Sequence, residues 1–231
     1  MTVNYYDYIA FPSRVQREQY KQNYFDSQKL RLKLDDNFEL IDNYIYSHTQ
    51  QCGEQSFQNK VVYFNNTVVY FDLAILRFAH YYTMLMQCNE SDIKVYQVLF
   101  RQAYRNISCE VYIYEEKVKD LLRFIFSMNK EDTQYDGAFL IALKESCYKT
   151  SYGKEFYHFA TNNYHKDKNV QAVIKVRNDE VHNSTKLLKD YGDYNIEYNH
   201  KINETVQACL NKLCDLRKAL EKFLTMLCQA N

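Results

Sequence analysis

Four glycines and one proline are the only chain breakers in 231 residues. Tight hairpins depend on glycine for positive φ and on proline for a preset φ. An all-β sandwich or barrel needs turn signals about every eight to twelve positions. A chain this poor in them is read as long helices with few interruptions. The expected class is all-α, a bundle of four or more core helices, with at most a short N-terminal β-hairpin. Apolar residues make up 46% of the chain, enough for a real core.

Hydrophobic periodicity places the elements. A polar helix is expected over 14–26. Leu30, Leu32 and Leu34 alternate with Arg31 and Lys33, the period of a short strand. Asp36 followed by Glu39 resembles a capping box opening a helix through Phe38, Ile41 and Ile45. Residues 47–59 read as a loop. The run KVVYFNNTVVYF at 60–71 has two readings. Asn65-Asn66 could turn a hairpin, or Asn66 or Thr67 could cap a helix reaching about Gln87. The helix is preferred, because the apolar pattern continues through Leu73, Leu76 and Ala79. A helix over 91–127 carries the stripe Val111, Tyr114, Val118, Leu121, Leu122 and Ile125. Further helices are expected over 137–149, 154–163, 168–190 and 202–227. Residues 1–60 read as a helical and irregular extension, and 61–231 as the bundle.

Composition bounds the partners. Lys plus Arg and Asp plus Glu both number 29, so the charge balance does not advertise non-specific nucleic-acid binding. Seven scattered cysteines form no CxxC pair, and the N-terminus lacks a basic start followed by an apolar run. The thiols are expected to be free and the protein cytoplasmic. The most apolar stretch, 68–82, contains Asp72, Arg77 and His80 and is too short to span a bilayer. No membrane partner, cofactor or metal is expected.

One segment is chemically pointed: Arg177-Asn178-Asp179-Glu180-Val181-His182. On the wheel of helix 168–190, Val170, Val173, Ile174, Val181 and Leu188 form the apolar stripe, and Arg177 falls in its middle. A buried guanidinium is costly unless it meets an anion, a solvated cleft or a subunit boundary. Asn178 and His182, four apart, share one flank, so the amide could orient the imidazole. An imidazole with an ordinary pKa of about 6.5 suits proton transfer near neutrality. A fixed guanidinium suits the charge that develops on a phosphorane. These are the parts for attack of a ribose 2′-hydroxyl on its own phosphodiester, a reaction that needs no metal.

Arg177-Asn178 followed by His182, late in a helical chain, resembles the signature of the HEPN superfamily. The resemblance covers roughly residues 61–231, with the six-residue motif as its specific part. It implies a helical bundle in which two protomers bring their motifs together, as a homodimer, to form a metal-independent endoribonuclease. It further implies a bacterial defence or toxin–antitoxin setting, with an RNA substrate and an antitoxin or defence-system partner protein. By this matching Arg177 and His182 are catalytic, and Asn178 takes the commonly polar position after the arginine. Some members carry a tyrosine two residues after the histidine; here Ser184 stands there, which puts regulation through that tyrosine in doubt. The alternative is a catalytically silent helical module that binds a partner protein or RNA. A nucleotide-binding or nucleotide-modifying role finds no Gly-rich phosphate loop.

Other features read as structural first. His158 and His165 lack further metal ligands, and His80 sits in the most apolar helix. Residues 144–190 hold nine Lys or Arg and six Asp or Glu, a net +3 (nine minus six). Tyr148, Tyr152, Phe156, Tyr157 and Tyr164 are interleaved with them, a pattern that suits stacking on single-stranded RNA if those rings are exposed.

Overall fold

The computed structural model describes residues 11–34, 38–49, 56–182 and 195–229, with the side chains of 48, 49, 180–182 and 228 outside that description. Eight α-helices account for most of the described residues: α1 (Arg14–Asn23), α2 (Phe38–Thr49), α3 (Phe57–Gln87), α4 (Ile93–Ile125), α5 (Asp136–Cys147), α6 (Ser151–His158), α7 (Lys168–His182) and α8 (Ile196–Gln229). A 3₁₀ turn covers Ser27–Leu30, and a π-helix covers Phe159–His165. No strand occurs among the described residues, and the fold is an all-α helical bundle. Among the same residues no helix is long and apolar enough to cross a membrane.

The chain divides into two compact units. One takes residues 1–29, 69–113 and 169–210; the other takes 30–68, 114–168 and 211–231. The boundary expected at 60/61 falls inside α3.

The first unit is built on an aromatic seam. Phe78 of α3 meets Phe100 and Tyr104 of α4 at ring separations of 5.0 and 6.2 Å. Val170 and Val173 of α7 and Ile202, Val206 and Leu210 of α8 are buried. Helix α1 opens with a true capping box: Ser13 Oγ accepts from Gln16 N–H, and the Gln16 side-chain Oε1 accepts from Ser13 N–H. Its Tyr20 hydroxyl lies 3.2 Å from His80 Nδ1. The fully buried Ser27 donates to Asp72 at 2.6 Å.

The second unit holds one local pattern that misled, at 30–34, and one where the preferred helix held against a hairpin alternative, at 60–71. Leu30, Leu32 and Leu34 do alternate inward, all buried, yet they form no strand. The side chain of Asn65 replaces the missing neighbour: its oxygen accepts from Leu32 N–H at 2.8 Å, and its amide donates to Leu32 C=O at 3.0 Å. Lys33 N–H is taken by Glu221 at 2.6 Å. The hairpin reading of 60–71 fails because Val61, Phe64, Val68 and Phe71 recur every three or four residues and are all buried. Helical burial here outweighs the β-propensity of Val and Tyr. The helix starts nine or ten residues before the expected cap at Asn66 or Thr67, and α2 and α3 take up much of the expected 47–59 loop. Helix 154–163 likewise resolves into α6 and the π-helix. The expected capping box at Asp36 and the end of helix 168–190 lie outside the described residues.

Two backbone devices shape the second unit. Helix α4 ends in a Schellman motif: Met128 N–H reaches Arg123 C=O at 2.9 Å, and Ser127 N–H reaches Phe124 C=O at 3.3 Å. Ser127 takes the left-handed position at φ 50°, where glycine is usual. Gly153, early in α6, lets the backbone pass close to the Cys147 carbonyl.

Candidate functional site

Helix α7 sits against α4 through a serine. Ser108 of α4 is fully buried, and its hydroxyl donates to the Val173 carbonyl while accepting from Arg177 N–H at 3.0 Å. A small side chain allows the close approach. The hydroxyl also ties the backbone of Arg177 to α4, which fixes where its side chain leaves the helix.

That side chain is half-buried. Its guanidinium lies over the ring of Tyr112, with Cζ 3.9 Å from the centroid. One terminal nitrogen donates to Asn178 Oδ1 at 2.9 Å. Among the described residues no carboxylate lies within ion-pair distance of it. The cation is thus held by a π face and a neutral amide, both of which steady it without cancelling its charge. Asn178 spends its carbonyl oxygen on Arg177. His182 is the last described residue of α7, and its side chain lies outside the described residues.

The neighbouring wall is α4. Burial pushes the Cys109 thiol up, while Arg177 and Arg105 both pull it back down and Glu110 pushes it further up. Two guanidiniums therefore act on one half-buried thiol. Burial also raises the Glu110 carboxyl above its ordinary value. Tyr112, Ser108 and Arg105 are members of the site that periodicity does not reveal, because they come from a helix far upstream.

The remaining candidates fall elsewhere. His80 is buried, its pKa lowered by that burial. His158 Nε2 lies 3.2 Å from the Tyr148 hydroxyl. Phe156 and Tyr164 are buried, and Tyr148 meets Tyr157 edge-on at 5.5 Å, so much of the expected aromatic platform is packing. Among the described residues no three His, Cys, Asp or Glu side chains converge as a metal would need. Cys88, Cys109, Cys147, Cys209 and Cys214 are not joined in disulfides, while the side chains of Cys52 and Cys228 lie outside the described residues.

Comparison with protein-family models, with curated proteins and with solved structures returned no match to this chain.

Proposed function

We propose that the chain is a metal-independent endoribonuclease of the HEPN type, active as a homodimer in a defence or toxin–antitoxin setting. The observation that carries the reading is the state of Arg177. It is a half-buried cation steadied by Tyr112 and Asn178, with no carboxylate partner among the described residues, on the helix that carries His182. A preorganised guanidinium of this kind is suited to a phosphodiester, whose charge grows as the phosphorane forms.

In the proposed reaction His182 takes the proton of a ribose 2′-hydroxyl, and the oxygen attacks the adjacent phosphorus. The bond from phosphorus to the 5′-oxygen breaks, and that oxygen takes a proton from the imidazolium form of the second protomer's His182 as it leaves. The products are a 2′,3′-cyclic phosphate and a 5′-hydroxyl. Arg177 binds the equatorial oxygens. Arg177 and His182 are about 140° apart around one helix, so two motifs facing each other across a two-fold axis form the cleft better than one.

The test is cleavage of end-labelled single-stranded RNA in EDTA. His182→Ala should cost roughly 10²–10⁴-fold, and Arg177→Ala on the order of 10²-fold or more. Arg177→Lys should fail to restore the rate, because an ammonium lacks the planar fork. Asn178→Ala should cost less than either. DNA of the same sequence should be inert. Variants that cleave as fast as the unaltered chain, or cleavage that appears only with Mg²⁺, would overturn the assignment. RNA binding without any cleavage would favour the silent binding module.

A further inference from the structure

A cleft of about 640 Å³ opens in the second unit, remote in sequence from the Arg177 motif. Its walls are Ile45 of α2, Lys60, Tyr63 and Phe64 of α3, and Lys117, Asp120, Arg123 and Phe124 of α4. The Schellman turn that follows α4 completes it with Ser127, Asn129 and Lys130.

Four cations and one carboxylate line this space, and the pairing is lopsided. Asp120 is committed to Arg123 at 3.0 Å. The other donors of Arg123 go to the hydroxyl and carbonyl of Thr133, at 3.1 and 2.7 Å. Arg123 is thereby fully engaged and buried, while the Asp120 side chain stays 35% exposed. Glu116, the next nearest acid on α4, is taken by Lys119 at 2.7 Å. Three ammoniums remain. Lys117 rests over Tyr63, 4.6 Å from the centroid, and only reaches 3.8 Å from Asp120. Lys60 rests over Phe124 at 5.3 Å. Lys130 is exposed and has no carboxylate within ion-pair distance among the described residues.

Like charges gathered in a concave, low-dielectric wall focus a positive potential and favour an anion. The negative end of α4 is partly offset, because the Schellman turn satisfies the Arg123 and Phe124 carbonyls. Lysines are the point charges that phosphate groups accept. The volume suits a small molecule. Tyr63 is 60% exposed, and its ring bears little besides the Lys117 ammonium, so a flat or apolar body can cover it once that ammonium turns to the anion.

We propose that this cleft binds a small organic phosphate, its phosphate held by Lys60, Lys117 and Lys130 and its apolar body lying on Tyr63. The site is independent of the ribonuclease reading and does not use Arg177.

The experiment is calorimetric titration of the full chain at low salt with AMP, adenosine and inorganic phosphate as probes. AMP should bind, adenosine should not, and inorganic phosphate should bind more weakly than AMP. Each single Lys→Gln change should weaken AMP by about tenfold. Tyr63→Ala should weaken AMP and leave inorganic phosphate unchanged. Raising the salt concentration should weaken both phosphates. Arg177→Ala should leave AMP binding intact, which separates this site from the proposed catalytic one. A 5′-phosphorylated trinucleotide that competes with AMP would assign the phosphate to an RNA end, and failure to compete would assign it to a free metabolite; both retain the site. The proposal is overturned if no probe binds, if adenosine binds as well as AMP, or if folded Lys60→Gln, Lys117→Gln and Lys130→Gln variants all bind AMP like the unaltered chain.

Discussion

Replacing Glu115 by glutamine should make the protein more stable at alkaline pH, with a smaller difference at pH 5. Glu115 lies on α4 within the second unit, 9% exposed, and accepts a 2.6 Å hydrogen bond from the Tyr164 hydroxyl. Burial is the largest influence on its carboxyl, pushing it from the ordinary 4.5 up to about 7. The Tyr164 bond and Lys119 pull it down, while Asp136 and Glu116 push it up. A carboxyl raised on folding binds its proton more tightly in the native state. Its contribution is therefore fully present below 4.5 and is lost as pH rises through about 7. At about 1.4 kcal/mol per pKa unit, the loss between pH 5 and 8 comes to roughly 2–3 kcal/mol. Glutamine keeps the shape and an acceptor for Tyr164 but never ionises. Urea denaturation of both chains at half-unit steps from pH 5 to 8 reads the effect. His80 works the opposite way: its lowered pKa makes stability rise with pH through the ordinary imidazole range. It is present in both chains, so it cancels in the difference. A gap between the two chains that does not widen with pH would refute the reasoning.

Three further outcomes test packing and backbone. Gly153→Ala should destabilise by about 2 kcal/mol or more, although alanine is intrinsically the better helix former by up to about 1 kcal/mol. A Cβ there would meet Thr150 Oγ1 at 2.8 Å and the Cys147 carbonyl closer still; a gain in melting temperature would count against the contact. Ser127→Gly should stabilise by about 0.5–1 kcal/mol, since the left-handed φ of 50° suits glycine; chemical denaturation showing a loss would mean the serine side chain matters more than its backbone. Ser108→Ala should cost about 1–2 kcal/mol, because the Val173 carbonyl and the Arg177 N–H lose their shared hydroxyl. If Arg177 is catalytic, Ser108→Ala should also slow RNA cleavage more than its stability loss predicts.

The scarcity of glycine and proline points to the fold class from the sequence alone, because the frequent tight turns of an all-β chain draw first on those two residues. The stripe from Val111 to Ile125 settles α4 as well, since all six of its positions are buried. Local pattern fails where a side chain stands in for backbone. The alternation at 30–34 is real, but Asn65 and Glu221 provide the hydrogen bonds a neighbouring strand would supply. At 60–71 the apolar period does read correctly as a helix against the β-propensity of Val and Tyr, because Val61, Phe64, Val68 and Phe71 recur every three or four positions and are buried. The motif at Arg177 is legible as a motif, and its cost as a charge in an apolar stripe is legible too. What steadies that charge is not. Tyr112 and Ser108 come from α4, and Glu115 finds Tyr164 across 49 positions. Such partners are chosen by how helices pack, and a hydrogen bond or ring contact between distant residues leaves no period in the sequence to read.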